Sequence, residues 1–392
     1  MSANKEIGLA VVGLGYWGPN LLRAAWDLED VRIRAVCDRD QLALTKHARR
    51  YPDVRATRDV DDVLAAGDID AVLLATPVST HYDLSARILD AGKHVLVEKP
   101  LAHSVEACNE LIAKAEARGL VLMPGHTFLY SPPVMAIKEM LELGALGRIY
   151  FGTSSRANLG IHQSDVSVIR DLGPHDFSIL LYWLGQPTFV RAIARDSVVP
   201  GMLDVAFVDV GYEDGCIVKV ELSWLAPTKL RRTVLVGSEK MILYDDTSVE
   251  QVRVFDRGID VLESAEPQSF GEHQLAYRSG DVLTPRIDPD EPLRLELEDF
   301  LGCIRDGREP RSNARFGRDI VHMIDATERS IELNGAAVSL AAAPDDRRRT
   351  PDRRRGGGGA QGQATRGGNG APKGEAARGD NGAAKGHAPR RG

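Results

Sequence analysis

AVVGLGYWGPN, residues 10–20, sets three glycines, Gly13, Gly15 and Gly18, in a GxGxxG spacing. Alone that spacing is a weak signal; its surroundings make it a strong one. An apolar run, Ile7–Val12, leads into it, and a helical stretch, Pro19–Asp27, leaves it. Asp38 stands about twenty residues further on, at the end of the next apolar run, Arg32–Cys37. Strand, glycine turn, helix and distant carboxylate are the full context of a dinucleotide-binding βαβ unit. Gly13 permits the tight turn, Gly15 lets backbone approach a pyrophosphate, and Gly18 lets helix and strand pack closely. The helix N-terminus offers unpaired N–H groups and a favourable dipole to the phosphates. Tyr16 and Trp17 belong to the same turn and are expected beside the cofactor. Asp38 should accept hydrogen bonds from the adenosine ribose and repel a 2′-phosphate, which favours NAD. Arg39 beside it could pair with that phosphate, so NADP stays the alternative.

Outward from this stretch, short apolar runs keep alternating with amphipathic ones. Further strands are expected at Ala71–Ala75, His94–Val97 and Val121–Met123, and helices at Gln41–Arg50, Thr80–Ala91 and Val105–Arg118. Near-continuous Val, Ile and Leu in the strands predicts a parallel sheet covered on both faces. The fold class is therefore α/β: a Rossmann, doubly wound parallel sheet over residues 1–124. A helix at Pro133–Leu143 follows, and from Phe189 to Phe255 period-two stretches such as GCIVKVELSW take over. With late helices at Pro292–Arg305 and Phe316–Asn334, residues 125–340 read as an α+β domain with one large, mostly antiparallel open sheet. Apolar residues on both registers of CIVKVELSW suggest that its outer face is covered by another copy. Residues 341–392 are rich in Gly, Ala and Arg, lack the apolar surface that offsets ordering entropy, and read as a disordered tail.

Three loops fall at one edge of the expected parallel sheet: ATPVSTH (Ala75–His81), EKP (Glu98–Pro100) and PGHTF (Pro124–Phe128). Ligands of such sheets bind outside the carboxyl ends of the strands. Thr76, Pro77, His81, Glu98 and Lys99 are thus cofactor-side candidates, and His126 a substrate-side one. A second concentration of chemistry is RDLGPHDFSILLYWLG, Arg170–Gly185, an apolar helix with Asp171, His175 and Asp176 at its entrance. Pro174 suits a first helical position and Gly185 a stop, which would set His175 in the first turn. The helix dipole would there keep the imidazole neutral and able to take a proton, with Asp171 orienting it.

The chain has 392 residues and a net charge of −7, but its last 48 residues carry 12 Lys/Arg against 5 Asp/Glu, so the body is strongly acidic. That disfavours a broad nucleic-acid-binding face. The four cysteines, Cys37, Cys108, Cys216 and Cys303, form no CxxC pair, so neither a metal nor a redox site is expected. The N-terminal stretch does not read as a signal peptide, and no run approaches the roughly 18 apolar residues of a membrane span. The expectation is a cytoplasmic protein with no membrane partner.

Taken in order, GxGxxG with Asp38, ATPVSTH, VLVEKPL, GHTFLY and Asp171-x-x-x-His175 resemble the Gfo/Idh/MocA oxidoreductase family, from about Glu6 to Leu340. SRANLG, GHTFLYSP and SDVSVIRDLGPHDFSILLYWLG look most like its bacterial nucleotide-sugar branch, the UDP-N-acetylglucosamine and UDP-N-acetylglucosaminuronate 3-dehydrogenases, although Ser131 stands where that branch usually has asparagine. The resemblance implies Lys99, Asp171 and His175 as catalytic residues, a cis Lys99–Pro100 bond, and a homodimer or homotetramer built on the open sheet. It implies an NAD-dependent dehydrogenase oxidising a hydroxyl, at C3, of a nucleotide-linked amino sugar by hydride transfer to nicotinamide. Arg156, Asn158 and His162 are then candidates to meet sugar or phosphate oxygens. Two other readings stay open: an NADPH-dependent ketoreductase of a keto-sugar in deoxysugar biosynthesis, and a non-catalytic dinucleotide sensor. Asp38 argues against the first, and intact Lys99, Asp171 and His175 against the second.

Overall fold

The structure, a computed structural model, describes residues 6–160, 166–261 and 275–341. The candidate His162 and the expected tail beyond Ala341 lie outside these residues. The chain opens with β1 (Ile7–Val12), α1 (Gly18–Trp26), β2 (Val31–Cys37), α2 (Gln41–Arg50), β3 (Arg55–Thr57), α3 (Val60–Ala65), β4 (Ala71–Leu74), α4 (His81–Asp90), β5 (His94–Glu98), α5 (Val105–Arg118) and β6 (Leu122–Gly125). The six strands form one parallel sheet in the order β3-β2-β1-β4-β5-β6. All six residues of β1 and all four of β4 are buried, as expected for strands covered on both faces. Local chemistry sets the helix ends. Asp40 caps α2 by accepting from Leu42 N at 2.8 Å, and Ser104 caps α5 from Ala107 N. Strand order reverses between β1 and β4, which opens a crevice at the carboxyl ends of the strands.

The second half holds α6 (Pro132–Glu142), β7 (Ile149–Leu159), α7 (Val168–Leu184), β8 (Phe189–Arg195), β9 (Val205–Gly211), β10 (Ile217–Ser223), β11 (Leu225–Gly237), β12 (Met241–Asp245), β13 (Val252–Phe255), β14 (Gly258–Val261), β15 (Leu275–Arg278), β16 (Val282–Leu283), α8 (Pro292–Asp306), α9 (Ala314–Glu332) and β17 (Val338–Ser339). Nine of these strands make one sheet, β16-β13-β12-β11-β7-β10-β9-β8-β17, antiparallel except where β7 meets β10. Its inner face sends Val218, Val220 and Leu222 against α7 and α9, where Phe177, Ile179, Leu180, Ile320 and Ile324 complete a core. β10 turns Ile217, Lys219 and Glu221 to the outer face, so one of its four aliphatic residues lies on that side and CIVKVELSW alternates more strictly than expected. Around them Arg191 pairs with Asp209 at 2.7 Å and the Lys219 ammonium lies 5.6 Å from the Phe207 ring centre. That face is a mosaic of charged and apolar groups.

The two sheets share the late helices. Leu293, Leu297, Phe300 and Leu301 of α8 join Leu21, Leu22 and Ala25 of α1 in one core. Val321 of α9 packs under the parallel sheet with Val95 and Val97 of β5.

One local expectation fails. α7 begins at Val168, capped by Ser167, whose hydroxyl accepts from Arg170 N at 3.3 Å. Pro174 is therefore inside the helix, and His175 lies beyond the first turn. An interior proline costs about 3 kcal/mol. Starting earlier buries Val168, Ile169 and Leu172 in addition to the later face, and each such side chain contributes about 1.5–3 kcal/mol. Arg170 then ties α7 to α9 through Asp325 at 3.0 Å and Glu328 at 2.6 Å.

Candidate active site

The glycine turn has the shape that a pyrophosphate requires. Gly13 has φ +94°, and a Cβ on Gly18 would lie 1.8 Å from the Gly13 carbonyl oxygen. Over Gly15 the space is open: a Cβ there would meet nothing within 4 Å. Any side chain at Gly15 would occupy the approach of a phosphate to the backbone, so these residues fit a dinucleotide. Asp38 secures the turn from the end of β2, accepting from Leu14 N at 2.5 Å and Asp40 N at 2.7 Å. Tyr16 is 92% exposed, and Arg39 is also exposed, both at the mouth of the crevice.

Lys99 leaves the end of β5 through a cis bond to Pro100. His81 does not reach into the crevice as expected. It is 1% exposed, with Nδ1 2.8 Å from the Pro100 carbonyl and Nε2 2.9 Å from that of Thr76. Burial beneath two loops makes it a clamp that joins them. Thr76 accepts from the Thr80 hydroxyl at 2.7 Å, and Pro77 remains exposed at the rim.

Across the crevice, the Lys99 ammonium donates to the Asp171 carbonyl oxygen at 3.0 Å and lies 3.6 Å from Asp171 Oδ1. The other carboxylate oxygen accepts from the Trp224 indole at 3.0 Å. Asp171 thus meets the lysine and an indole, whereas the sequence suggested that it orients His175. One turn on, His175 lies edge-on to Phe128, ring centres 5.2 Å apart. Its pKa is held well below the usual imidazole value, first by desolvation, then by Lys99, Arg156, Arg231 and His126. The helix dipole invoked from sequence is replaced by burial and neighbouring cations; the neutral form is favoured either way. His126 is 2% exposed, neither ring nitrogen has a hydrogen-bond partner among the described residues, and burial together with Lys99 lowers its pKa to about 3.

Arg156 is not an open anion contact. It is 3% exposed and paired with Asp176, which also accepts from the Ser154 hydroxyl at 2.7 Å. A charge in the middle of β7 must be paired to be buried. Its guanidinium lies 4.6 Å from the Phe128 ring centre, and Arg231, opposite it on β11, lies 5.8 Å from the same ring. Asn158, half-buried, shares the Arg156 face of β7.

Behind Lys99, Glu296 is fully buried and Glu98 half-buried, and the charge of Glu98 disfavours ionisation of Glu296. Burial raises Glu98 to about 7 and Glu296 well above the carboxylate range. The Lys99 charge moderates the shift at Glu98, and Thr127 donates to Glu296 at 2.8 Å. Trp224, Arg231, Phe128 and Glu296 were not singled out from sequence. Of these, only Glu296 leaves a readable trace: a carboxylate three residues after Leu293, on the apolar face of α8. Among the described residues no cluster of His, Cys, Asp or Glu could hold a metal, and no helix is long and apolar enough to cross a membrane.

Residues 7–126 match the model of an oxidoreductase family with an NAD-binding Rossmann fold, and residues 134–243 match the Gfo/Idh/MocA C-terminal domain. Inositol 2-dehydrogenase of Rhizobium meliloti is 26% identical over 339 residues, covering 83% of this chain and 97% of that one. UDP-N-acetylglucosamine 3-dehydrogenase of Acidithiobacillus ferrooxidans is 27% identical over 249 residues, 63% of this chain and 74% of its own. The crystal structure of GenD2 from gentamicin A biosynthesis, in complex with NAD, superposes with a TM-score of 0.72 at 25% identity, covering 86% of this chain and 97% of that one. The glycine cradle and parallel sheet lie within the first match and β7 to β11 of the open sheet within the second, and the chain belongs to the Gfo/Idh/MocA family of oxidoreductases.

Proposed function

We propose that the protein is an NAD-dependent dehydrogenase that oxidises a hydroxyl, at C3, of a nucleotide-activated amino sugar in sugar or polysaccharide biosynthesis. The observation that carries this reading is the meeting of Lys99, Asp171 and the neutral His175 at the carboxyl edge of the parallel sheet. Residues 1–124 would hold the dinucleotide, and residues 125–340 the substrate wall and subunit contacts. The C3 position and the nucleotide rest on the motif resemblance and the likeness to UDP-N-acetylglucosamine 3-dehydrogenase. NAD, when bound, supplies the hydride acceptor. His175 takes the hydroxyl proton, because burial and nearby cations keep it unprotonated. The Lys99 ammonium stabilises negative charge developing on the substrate oxygen, in a cleft where such charge stabilisation is worth most. Asp171 holds that ammonium in place, and Asp38 discriminates against a 2′-phosphate.

The test is a thermal-shift and NADH-absorbance screen of purified protein with NAD or NADP and a panel of UDP-, GDP- and dTDP-sugars beside free inositols and pentoses. NADH formation with a UDP-amino sugar is the expected result. Turnover confined to free polyols would overturn the nucleotide-sugar assignment, and tighter binding of NADP by tenfold would overturn the role of Asp38. Light scattering at micromolar concentration should show a dimer or tetramer; a monomer would refute the subunit contacts.

A further inference from the structure

Trp224 joins β10 to β11 and is the largest fully buried side chain among the described residues. Its backbone is fixed from two sides: its N–H donates to the Asp204 carbonyl at 3.0 Å and its carbonyl accepts from Gly160 N at 2.9 Å. The end of β7 passes so close that a Cβ on Gly160 would lie 2.3 Å from the indole Cδ1. A ring held this rigidly aims its single donor at one point, and that point is Asp171 Oδ2, 3.0 Å away. With Oδ2 occupied, the carboxylate plane is set and Oδ1 is turned to the Lys99 ammonium at 3.6 Å. An aspartate without this anchor has two rotatable bonds and two equivalent oxygens, and nothing else described holds Oδ2.

We propose that Trp224 is a positioning residue for the reaction: it acts through Asp171 to hold the Lys99 ammonium where charge develops on the substrate oxygen. This rests on the charge-stabilising role given to Lys99 above. At 1% exposed, the residue offers almost no surface to a ligand, so its loss should appear in kcat and leave KM and NAD affinity nearly untouched.

The experiment is a double-mutant cycle on the full chain. Trp224→Phe should lower kcat by about tenfold to a hundredfold, the range for a lost hydrogen bond to a charged group. In an Asp171→Ala background the same change should cost less than about twofold, because the indole has nothing left to position. Packing is separated from donation by placing 3-benzothienylalanine at 224, which keeps the ring and lacks the N–H; it should reproduce the loss seen with phenylalanine. Wild-type turnover with benzothienylalanine, or an equal loss in both backgrounds, overturns the proposal. A second readout does not need turnover: trace acetylation of Lys99 by acetic anhydride, followed by mass spectrometry, should quicken in Trp224→Phe and not change further in the Asp171→Ala background. If wild-type protein oxidises no sugar, the functional reading falls while this labelling result still decides whether the indole positions the lysine. Unchanged labelling in Trp224→Phe refutes it.

Discussion

Asp38 and Lys99 stand at the carboxyl ends of β2 and β5, where backbone N–H groups, loop carbonyls and water remain within reach. Arg156 and Asp176, by contrast, lie in the middle of a strand and a helix, each 3% exposed. The parallel sheet thus presents its charges at an open edge, and the nine-stranded half encloses them. A charge at an edge is solvated from one side and can be changed at modest cost to stability. An enclosed one must carry its own partner, so the second half gains a rigid, water-poor wall and becomes intolerant of single changes.

The largest effects should straddle the divide. Lys99→Ala from one half and His175→Ala from the other should each lower turnover by about 10²–10⁴-fold while NAD still binds. Retention of more than a tenth of wild-type turnover by His175→Ala would move the base elsewhere. Because the His175 pKa is depressed, wild-type activity should not fall as pH drops through about 6.5, the ordinary imidazole value.

Stability should separate the halves next. Asp176→Ala strands the Arg156 charge in the interior and should cost about 3–5 kcal/mol in urea unfolding. Asp38→Ala, at the open edge, should cost about 1 kcal/mol. Equal losses would erase the contrast.

One group in the parallel half breaks its pattern, the half-buried Glu98, whose carboxyl is desolvated. Its carboxyl titrates at about 7 in the folded chain against 4.5 ordinarily. Folding therefore favours the protonated form: its cost is absent below the ordinary value, grows as pH rises, and is complete above about 7. Glu98→Gln, which cannot ionise, should raise stability at pH 8 by on the order of 2 kcal/mol and lose that advantage towards pH 4. A gain of the same size at both extremes would show that charge is not the cause. Cofactor choice comes last. Asp38→Ala should narrow the preference for NAD over NADP by about tenfold, read from the two dissociation constants.

The same contrast explains what the sequence discloses. In the parallel half, chemistry follows local motifs, and the expected bounds of β1, α2 and α5 coincide with those observed. β3 and α3 escape notice because Arg55–Thr57 is short, partly exposed and without an apolar run. In the second half, position depends on pairing across strands. That Arg231 faces Arg156, or that Trp224 meets Asp171, requires the register of β7 with β11 and the path of α7. The preference of proline for a first helical position misplaces the start of α7 because it overlooks Ser167 and the apolar residues after it.

The return of α8 to the first sheet bears on how the chain is made. Leu21, Leu22 and Ala25 of α1 find their partners in Leu293, Leu297 and Phe300, which leave the ribosome more than two hundred residues later. Until then the nascent parallel sheet carries an uncovered apolar flank, a natural holding point for a chaperone. A fragment ending at Gly125 would keep that flank permanently, so the dinucleotide-binding half should aggregate when expressed alone.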